Sequence, residues 1–148
     1  MTDALTIRPI QPGDRPAWGD LWRAYLAFYE TTLPETIYDT TFARLISADH
    51  PDQNGLIALL DDRPVGLVHY IYHAHNWRVE QVCYLQDLYA TPEARGCGVG
   101  RALIEAVYAR ADADGRPAVY WLTQEFNTTA RQLYDRIGKL TPFVKYTR

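Results

Sequence analysis

The sequence predicts an α/β domain with a mixed, mostly antiparallel central sheet of six to seven strands flanked by about four helices. Apolar residues recur at helical spacing in four segments, and short apolar runs bounded by turn residues separate these segments. The resulting order is strand, two helices, three strands, helix, strand, helix and strand. With 148 residues, 47% of them hydrophobic, and no repeat or linker, residues 1–148 are expected to form one domain.

The first predicted elements are a strand and two helices. Residues 5–10 alternate as a short strand, and Asp14 before a proline is typical of a helix start. That helix should end before Pro34, and a second short helix is predicted over residues 40–46. The first helix carries a stripe that would pack on the sheet, made of Trp18, Leu21, Trp22, Tyr25 and Phe28.

A hairpin and a third strand come next. Residues 56–60 and 65–72 are β-type runs separated by a turn at 61–64, and residues 83–90 predict the following strand. The C-terminal part predicts a strong amphipathic helix ending at Gly115, a buried strand over residues 118–122 and a helix capped by Asn127. Its last predicted element is a strand over residues 143–146.

The charge balance and the cysteines exclude several classes of protein. Fifteen Lys and Arg against 18 Asp and Glu, without a dense basic cluster, argue against nucleic acid as a partner. The start of the chain carries Asp3 and Asp14, and no apolar stretch has the length of a leader or a membrane span, so we expect a cytoplasmic protein without a membrane partner. Cys83 and Cys97 fit no CxxC pattern and are expected to be free thiols, with no metal site.

A glycine-rich loop lies between a predicted strand and the strong helix. Residues 95–101 read RGCGVGR, and three glycines leave backbone N–H groups open to an anion such as a diphosphate. The dinucleotide fingerprint would need glycine at Arg101, and a P-loop would need Lys followed by Ser or Thr where Arg101 and Ala102 stand. The spacing therefore excludes both patterns. A glycine turn without a ligand is the disfavoured alternative, because a plain turn seldom needs three glycines at alternate positions.

This loop resembles the main motif of the GNAT superfamily of acetyl-CoA-dependent N-acetyltransferases, R/Q-x-x-G-x-G/A. Arg95, Gly98 and Gly100 match it, and residues 127–134 match the later N-x-x-A-x-x-L-Y pattern of the family. The chain resembles most the small members grouped with polyamine, thialysine, yeast-type histone and D-amino-acid acetyltransferases. The resemblance implies a GNAT fold and transfer of acetyl from acetyl-CoA to a primary amine, by direct attack in a ternary complex, with CoA as product.

The resemblance also implies which residues bind the cofactor. Loop amides would hold the CoA diphosphate at the helix N-terminus, and a splay in the preceding strand would expose backbone groups to the pantetheine arm. Cys97 stands where many relatives carry Lys or Arg. The expected cofactor-binding residues are Leu88, Tyr89, Ala90, Arg95, Gly96, Cys97, Gly98, Val99, Gly100, Arg101, Asn127, Ala130 and Tyr134.

Acetyl transfer needs a base for the amine and an acid for the departing thiolate. Tyr134 is the candidate acid, because a phenol stays protonated at neutral pH, although its helical spacing also fits a core tyrosine. Asp87 is the candidate base, directly or through water, with a structural buried carboxylate as the alternative. Gln86 stands where polyamine-acetylating relatives carry Glu and would orient the amine. Simple alternation places Gln86 and Asp87 on opposite faces of their strand.

The candidate acceptor residues come from the first helix. Tyr25, Tyr29 and Glu30 could receive a cationic amine together with Gln86, through ring faces and a carboxylate. His73 and His75 are ordinary loop residues, a zinc pair without a third ligand, or a border of the acceptor pocket, and the first interpretation is favoured. The acceptor itself stays open between small amines and protein lysine.

Two other classes of protein compete with the enzyme. A CoA-binding sensor on the same fold is suggested by Gln86 in place of Glu and opposed by the presence of Tyr134. A structural dimerisation protein would depend on the strand predicted over residues 143–146. A homodimer is expected for the enzyme as well, by analogy with the small family members that the chain resembles and because that strand would present a pairing edge.

Overall fold

A five-stranded sheet with helices on both faces forms the computed structural model, which describes residues 4–148. Residues 1–3, including the Asp3 used above, lie outside the described residues. The strands are Leu5–Pro9 (β1), Gln53–Leu60 (β2), Arg63–His73 (β3), Val82–Ala90 (β4) and Val119–Tyr120 (β5). The helices are Arg15–Phe28 (α1), Glu35–Leu45 (α2), Val99–Ala113 (α3) and Thr128–Ile137 (α4). The strands follow chain order across the sheet. β1 to β4 pair antiparallel, and β5 runs parallel to β4.

One face of the sheet packs against α1 and α2. The predicted stripe of α1 is buried there, with Trp18 fully inaccessible and stacked on Trp22 at a ring-centroid distance of 5.2 Å. Leu26, rather than Phe28, continues the buried stripe, because the helix ends at Phe28 and leaves that ring 58% exposed. Asp14 precedes the helix without capping it through its side chain, since its carboxylate pairs with Arg8 at 2.7 Å.

The opposite face packs against α3 and α4. The buried residues of α3 recur at helical spacing, and this confirms the predicted amphipathic helix: Val99, Leu103, Ile104, Val107 and Ala111. Gly66 of β3 lets α3 approach, because a Cβ there would lie 2.7 Å from the Tyr89 carbonyl oxygen and 2.9 Å from Val99 Cγ1. Gly115, at φ +73°, ends the helix as predicted.

The predicted strand count was slightly too high, since the sheet has five strands. The segment predicted as the last strand, residues 143–146, is not a strand, and Phe143, Val144 and Tyr146 are 83%, 75% and 91% exposed. Its β-type composition is insufficient because no neighbouring strand within residues 4–148 pairs with it. β5 is two residues long instead of the predicted five, and α2 begins at Glu35, directly after Pro34.

Candidate active site

A β-bulge interrupts β4 at Gln86. In the pairing with β3, His69 lies opposite Asp87 and the next residue, Tyr70, lies opposite Leu85, so Gln86 has no partner in the register. A bulge adds one residue to one strand and bends it locally. The side chain of Gln86 is exposed as a result.

The bulge reverses the alternation of side chains along β4. Before it, Leu85 points to the α3 face, and after it Leu88 points to that same face. Asp87 and Tyr89 therefore face α1, together with Tyr84 from before the bulge. The simple alternation predicted from the sequence is thus wrong across residues 84–88, because it assumed an uninterrupted strand.

Asp87 is held by a histidine that sequence reasoning did not select. His69 Nδ1 lies 2.8 Å from Asp87 Oδ2, and the Trp18 indole N–H donates to His69 Nε2 at 2.9 Å. The side chains of His69 and Asp87 are 5% and 13% exposed. The sequence does show that His69 lies in the middle of the apolar run of β3. Its pairing with Asp87, however, depends on the register of two strands.

Three tyrosines surround the Asp87 carboxylate. Burial, and after it the negative charge of Asp87, raise the pKa of Tyr25 and Tyr29 on α1 and of Tyr84 on β4. The rings of Tyr25 and Tyr29 contact each other at a centroid distance of 5.1 Å. The structure therefore brings two of the predicted acceptor residues to Asp87. Glu30 is exposed, at φ +55°. None of Tyr25, Tyr29 and Glu30 lines the cleft of about 390 Å³ that opens on the other side of Asp87.

A cleft of about 390 Å³ opens beside Asp87, between α2 and strands β2 to β4. Its walls include Trp22 and Ile37, and Gln86 and Asp87 lie at its β4 side. Among the described residues that line it, Asp87 is the only carboxylate and none is Lys or Arg. The cleft has the size of a small-molecule site and one negative charge, so it suits a small cation.

Tyr134 projects from α4 toward the same region. Burial, and after it the neighbouring Tyr29, raise the pKa of Tyr134 to about 12. Its ring packs edge-on against Trp121 at 5.5 Å. Tyr29 is thus within electrostatic range of both Tyr134 and Asp87, and this links the candidate acid with the candidate base.

The glycine loop has the conformation that an anion site needs. Gly96 and Gly98 adopt φ +83° and φ +75°, which side chains other than glycine rarely tolerate. Between Arg95 and Ala102, five amides have no hydrogen-bond acceptor among the described residues: Gly96, Gly98, Val99, Gly100 and Arg101. These N–H groups gather at the N-terminus of the 15-residue helix α3, where the helix dipole also favours an anion.

Backbone conformation does not explain the glycine at position 100, because its φ is not in the left-handed region. A Cβ there would make an ordinary contact with Leu133 Cδ2 at 3.6 Å, so the fold itself does not require glycine.

The other predicted side chains of the loop are mostly exposed. Arg95 is exposed, and Arg101 pairs with Glu105 at 2.7 Å. Cys97 is exposed and free, whereas the free Cys83 is buried, and burial raises the pKa of its thiol to about 12.

The strands β4 and β5 diverge between the loop and the Asp87 cleft. Only Cys83 and Tyr84 pair with β5, so the backbone of residues 88–90 has no strand beside it on that edge within the described chain. This is the splay that the resemblance implies.

Asn127 precedes α4, but its side chain makes no capping bond and instead donates to Thr123 Oγ1 at 3.3 Å. The cap predicted for Asn127 is thus absent, while Ala130 lies in the first turn of α4.

The two remaining candidate histidines lie elsewhere. His73 Nε2 is 2.8 Å from the Tyr120 hydroxyl, and both His73 and His75 line a second, open cavity of about 410 Å³ near Arg78. Neither lines the Asp87 cleft. Across residues 4–148, no group of three or more His, Cys, Asp and Glu is arranged to hold a metal ion, and no helix is long and apolar enough to cross a membrane.

Comparisons with known proteins agree with this geometry. The model of the acetyltransferase (GNAT) family matches residues 18–138. The D-amino-acid N-acetyltransferase HPA3 of Saccharomyces cerevisiae is 42% identical over 152 residues, covering 100% of this chain and 92% of that protein. A thialysine N-epsilon-acetyltransferase of Caenorhabditis elegans is 30% identical over 84 residues, 57% of this chain and 52% of that protein.

The fold is also found in solved acetyltransferase structures. The aminoglycoside N-acetyltransferase AAC(6')-Iy, solved in complex with CoA, superposes with a TM-score of 0.85 at 19% identity, over 100% of this chain and 96% of that one. The fold and the site together define an N-acetyltransferase class of protein. The chain belongs to the GNAT acetyltransferase family, as the resemblance of its glycine loop predicts.

Proposed function

We propose that this protein transfers acetyl from acetyl-CoA to the primary amine of a small molecule, by direct attack in a ternary complex. The observation that supports this most is the arrangement around the β4 splay. An acidic cleft at Asp87 lies on one side, Tyr134 is within electrostatic range of Tyr29 beside it, and the unpaired amides of Gly96 and of residues 98–101 lie at the N-terminus of α3.

The proposal assigns the loop and the splayed strand to acetyl-CoA, which supplies an activated acetyl thioester. The free N–H groups of Gly96 and of residues 98–101 suit its diphosphate, and the unpaired edge of residues 88–90 suits the amides of its pantetheine arm. Arg95, exposed beside the loop, adds a positive charge. The fold leaves room for this at Gly100, where a Cβ would not clash with the protein.

Asp87 is assigned to the acceptor amine. An alkyl ammonium is protonated at neutral pH and must lose a proton before it can attack a thioester. Asp87 is the one carboxylate among the described residues that line the cleft, so it binds the ammonium and accepts its proton, directly or through water. Gln86, exposed at the bulge beside it, offers an amide oxygen to the amine.

Tyr134 is assigned to the departing sulfur. Its pKa of about 12 keeps the hydroxyl protonated throughout the neutral range. Complete transfer to a thiolate with a pKa of about 8.5 would be unfavourable, so the phenol acts by donating a hydrogen bond as negative charge develops on sulfur.

Two observations bear on the acceptor, and they favour different molecules. The name of the 42% identical relative favours a D-amino acid, whereas the cleft holds a carboxylate and no Lys or Arg among its described lining residues. A free amino acid would bring a second carboxylate beside Asp87, at a cost in binding. We therefore propose an amine on a neutral or cationic body as the preferred acceptor.

The test is CoA release from acetyl-CoA with a panel containing D-phenylalanine, D-phenylalaninamide, spermidine and kanamycin. We expect release above the spontaneous rate, and a higher kcat/KM for D-phenylalaninamide than for D-phenylalanine. The reverse order would show that a cation outside the cleft binds the carboxylate. Binding of acetyl-CoA without release for any amine would support the sensor instead of the enzyme.

We also propose a homodimer, as the family resemblance led us to expect. Its support is apolar surface at the C-terminal end, where Leu140, Phe143, Val144 and Tyr146 are exposed together. A second copy would cover these side chains. Sedimentation should give twice the 17.0 kDa chain mass at micromolar concentration, and a single 17.0 kDa species would reject the dimer. We also propose a cytoplasmic location, because both cysteines of the described chain are free thiols and disulfides are rare in that compartment.

A further inference from the structure

His69 lies in a closely fitted site under the acceptor cleft. Its ring lies 5.9 Å from the Trp18 ring and 5.7 Å from the Trp22 ring, measured between centroids. The third wall is Gly55 of β2, where a Cβ would lie 3.3 Å from His69 Cδ2 and 2.5 Å from Ile10 Cδ1. Glycine at position 55 therefore gives the imidazole ring its space.

The hydrogen bonds of His69 determine where its proton lies. The indole N–H of Trp18 can only donate, so Nε2, at 2.9 Å, must accept with its lone pair. A neutral imidazole has one N–H, and it must then be on Nδ1, which donates to Asp87 Oδ2 at 2.8 Å. A second proton on Nε2 would break the Trp18 bond in a buried site, so the arrangement favours the neutral ring.

This chain of hydrogen bonds acts on Asp87. The His69 N–H stabilises the carboxylate at Oδ2 and fixes its rotation, and the Tyr25 hydroxyl is a second hydrogen-bond partner of the carboxylate. The imidazole cannot serve as the base itself, because its only lone pair is occupied by Trp18. The other groups facing Asp87 are Tyr25 and Tyr29 from α1 and Tyr84 from β4, whose raised pKa values keep them uncharged in the neutral range.

We infer that Trp18 and His69 are positioning residues for the acetyl transfer: Trp18 fixes the tautomer of His69, and His69 holds Asp87 ionised and oriented toward the amine. The inference rests on the proposed role of Asp87 as the base. Gly55 and the bulge at Gln86 are the backbone features that bring the three side chains into line.

The first test needs no activity and addresses the hydrogen-bond chain directly. Nitrogen NMR of the histidine rings in the intact protein at neutral pH should show His69 as the neutral tautomer with its proton on Nδ1. Trp18→Phe keeps a ring but removes the indole donor, so His69 should no longer be confined to that tautomer. An Nε2-protonated or doubly protonated ring in the unmodified protein would overturn the inference.

The second test measures kcat/KM for D-phenylalaninamide against pH. His69→Leu removes the donor to Asp87, so we expect a loss of about tenfold or more and an acidic limb displaced to higher pH, with unchanged acetyl-CoA binding. His69→Asn retains an N–H near the position of Nδ1 and should restore part of the rate and the limb. His50→Asn, an exposed histidine outside the cleft lining, is the matched control.

The outcomes separate this inference from the proposed function. If no amine is acetylated while His69 has the expected tautomer, the proposed function fails and the hydrogen-bond chain stands without a catalytic use. If the enzyme is active but folded His69→Leu keeps the same acidic limb, or His69→Asn rescues nothing, the positioning role is wrong and the proposed function survives.

Discussion

The cofactor loop and the acceptor cleft are built in opposite ways. The loop is a single continuous segment, residues 95–101, and what it offers a ligand is backbone N–H groups released by glycine conformations. The cleft is assembled from α2 and strands β2 to β4, and what it offers is side chains, with Asp87 as its one charge among the described lining residues. One region binds an anion through the main chain, and the other binds a cation through a carboxylate.

Because of this difference, we expect the loop and the cleft to respond differently to substitutions. A backbone site requires glycine at Gly96 and Gly98 but is indifferent to Cys97, whose side chain is exposed. A side-chain site requires each partner of a network, since Asp87 depends on His69, and His69 on Trp18. Substitutions should therefore act on cofactor affinity in the first region and on turnover and pH dependence in the second.

The largest effect is expected for Asp87→Asn. The amide cannot accept the proton of the amine, so kcat/KM for the amine should fall by about a thousandfold, while acetyl-CoA binding stays intact. The acidic limb of the pH–rate profile should disappear with it. Asp20→Asn, on the exposed side of α1 with 84% of its side chain accessible, is the matched control. An acidic limb that persists in folded Asp87→Asn would assign the base to water.

Tyr134→Phe should have the next largest effect. The ring and its contact with Trp121 are preserved while the hydroxyl is lost, so kcat should fall by about a hundredfold and acetyl-CoA should bind as before. Because the pKa of Tyr134 is raised to about 12, the unmodified enzyme should show no basic limb from this group below about pH 11.

The control for that variant is Tyr72→Phe. The Tyr72 hydroxyl is also buried and donates to Asp114 at 2.6 Å, but it lies away from Asp87. Its loss should lower the thermal stability without changing kcat. Equal turnover of Tyr134→Phe and the unmodified enzyme across the pH range would remove Tyr134 from the mechanism.

The loop could be predicted from the sequence more completely than the cleft, because the loop is one continuous segment and the cleft is assembled from several elements. The glycine spacing predicts the loop, because the positive φ angles are a local property of Gly96 and Gly98. The helices were predictable wherever an apolar stripe had a sheet to pack on, as for α1 and α3. The last predicted strand failed because pairing needs a second strand, which composition at residues 143–146 does not provide.

The surroundings of Asp87 were predictable only in their candidate residues. Asp87, Tyr25, Tyr29 and Tyr134 were selected, and the structure brings them to one region. The facing of Gln86 and Asp87 was mispredicted, because a bulge leaves no signature in the order of apolar residues. His69 was missed for the related reason that its partner is set by strand register and not by neighbours in the sequence.

Gly100→Val should produce a smaller effect, confined to acetyl-CoA. Its added side chain occupies the space in front of the loop amides, so acetyl-CoA affinity should fall by about tenfold and the thermal stabilisation by acetyl-CoA should be reduced accordingly. The fold should tolerate the change better than Gly98→Val, because Gly98 is at φ +75° and Gly100 is not in the left-handed region. Gly13→Val, where no atom lies within 4 Å of the added Cβ, is the control. An undiminished shift in folded Gly100→Val would place the diphosphate elsewhere.

Gln86→Glu should have the smallest effect and sharpens the acceptor class. A carboxylate at this exposed bulge position would lie at the edge of the cleft with Asp87, so a cationic acceptor should gain about 1 kcal/mol of attraction, or roughly fivefold in kcat/KM. The gain should be present for spermidine, smaller for D-phenylalanine because its own carboxylate is repelled, and reduced by added salt. Gln132→Glu, exposed on α4, is the control. A gain of the same size for D-phenylalanine would mean that its carboxylate binds too far from residue 86 to be repelled by the new charge. No gain for any amine would mean that the side chain of Gln86 does not face the bound acceptor.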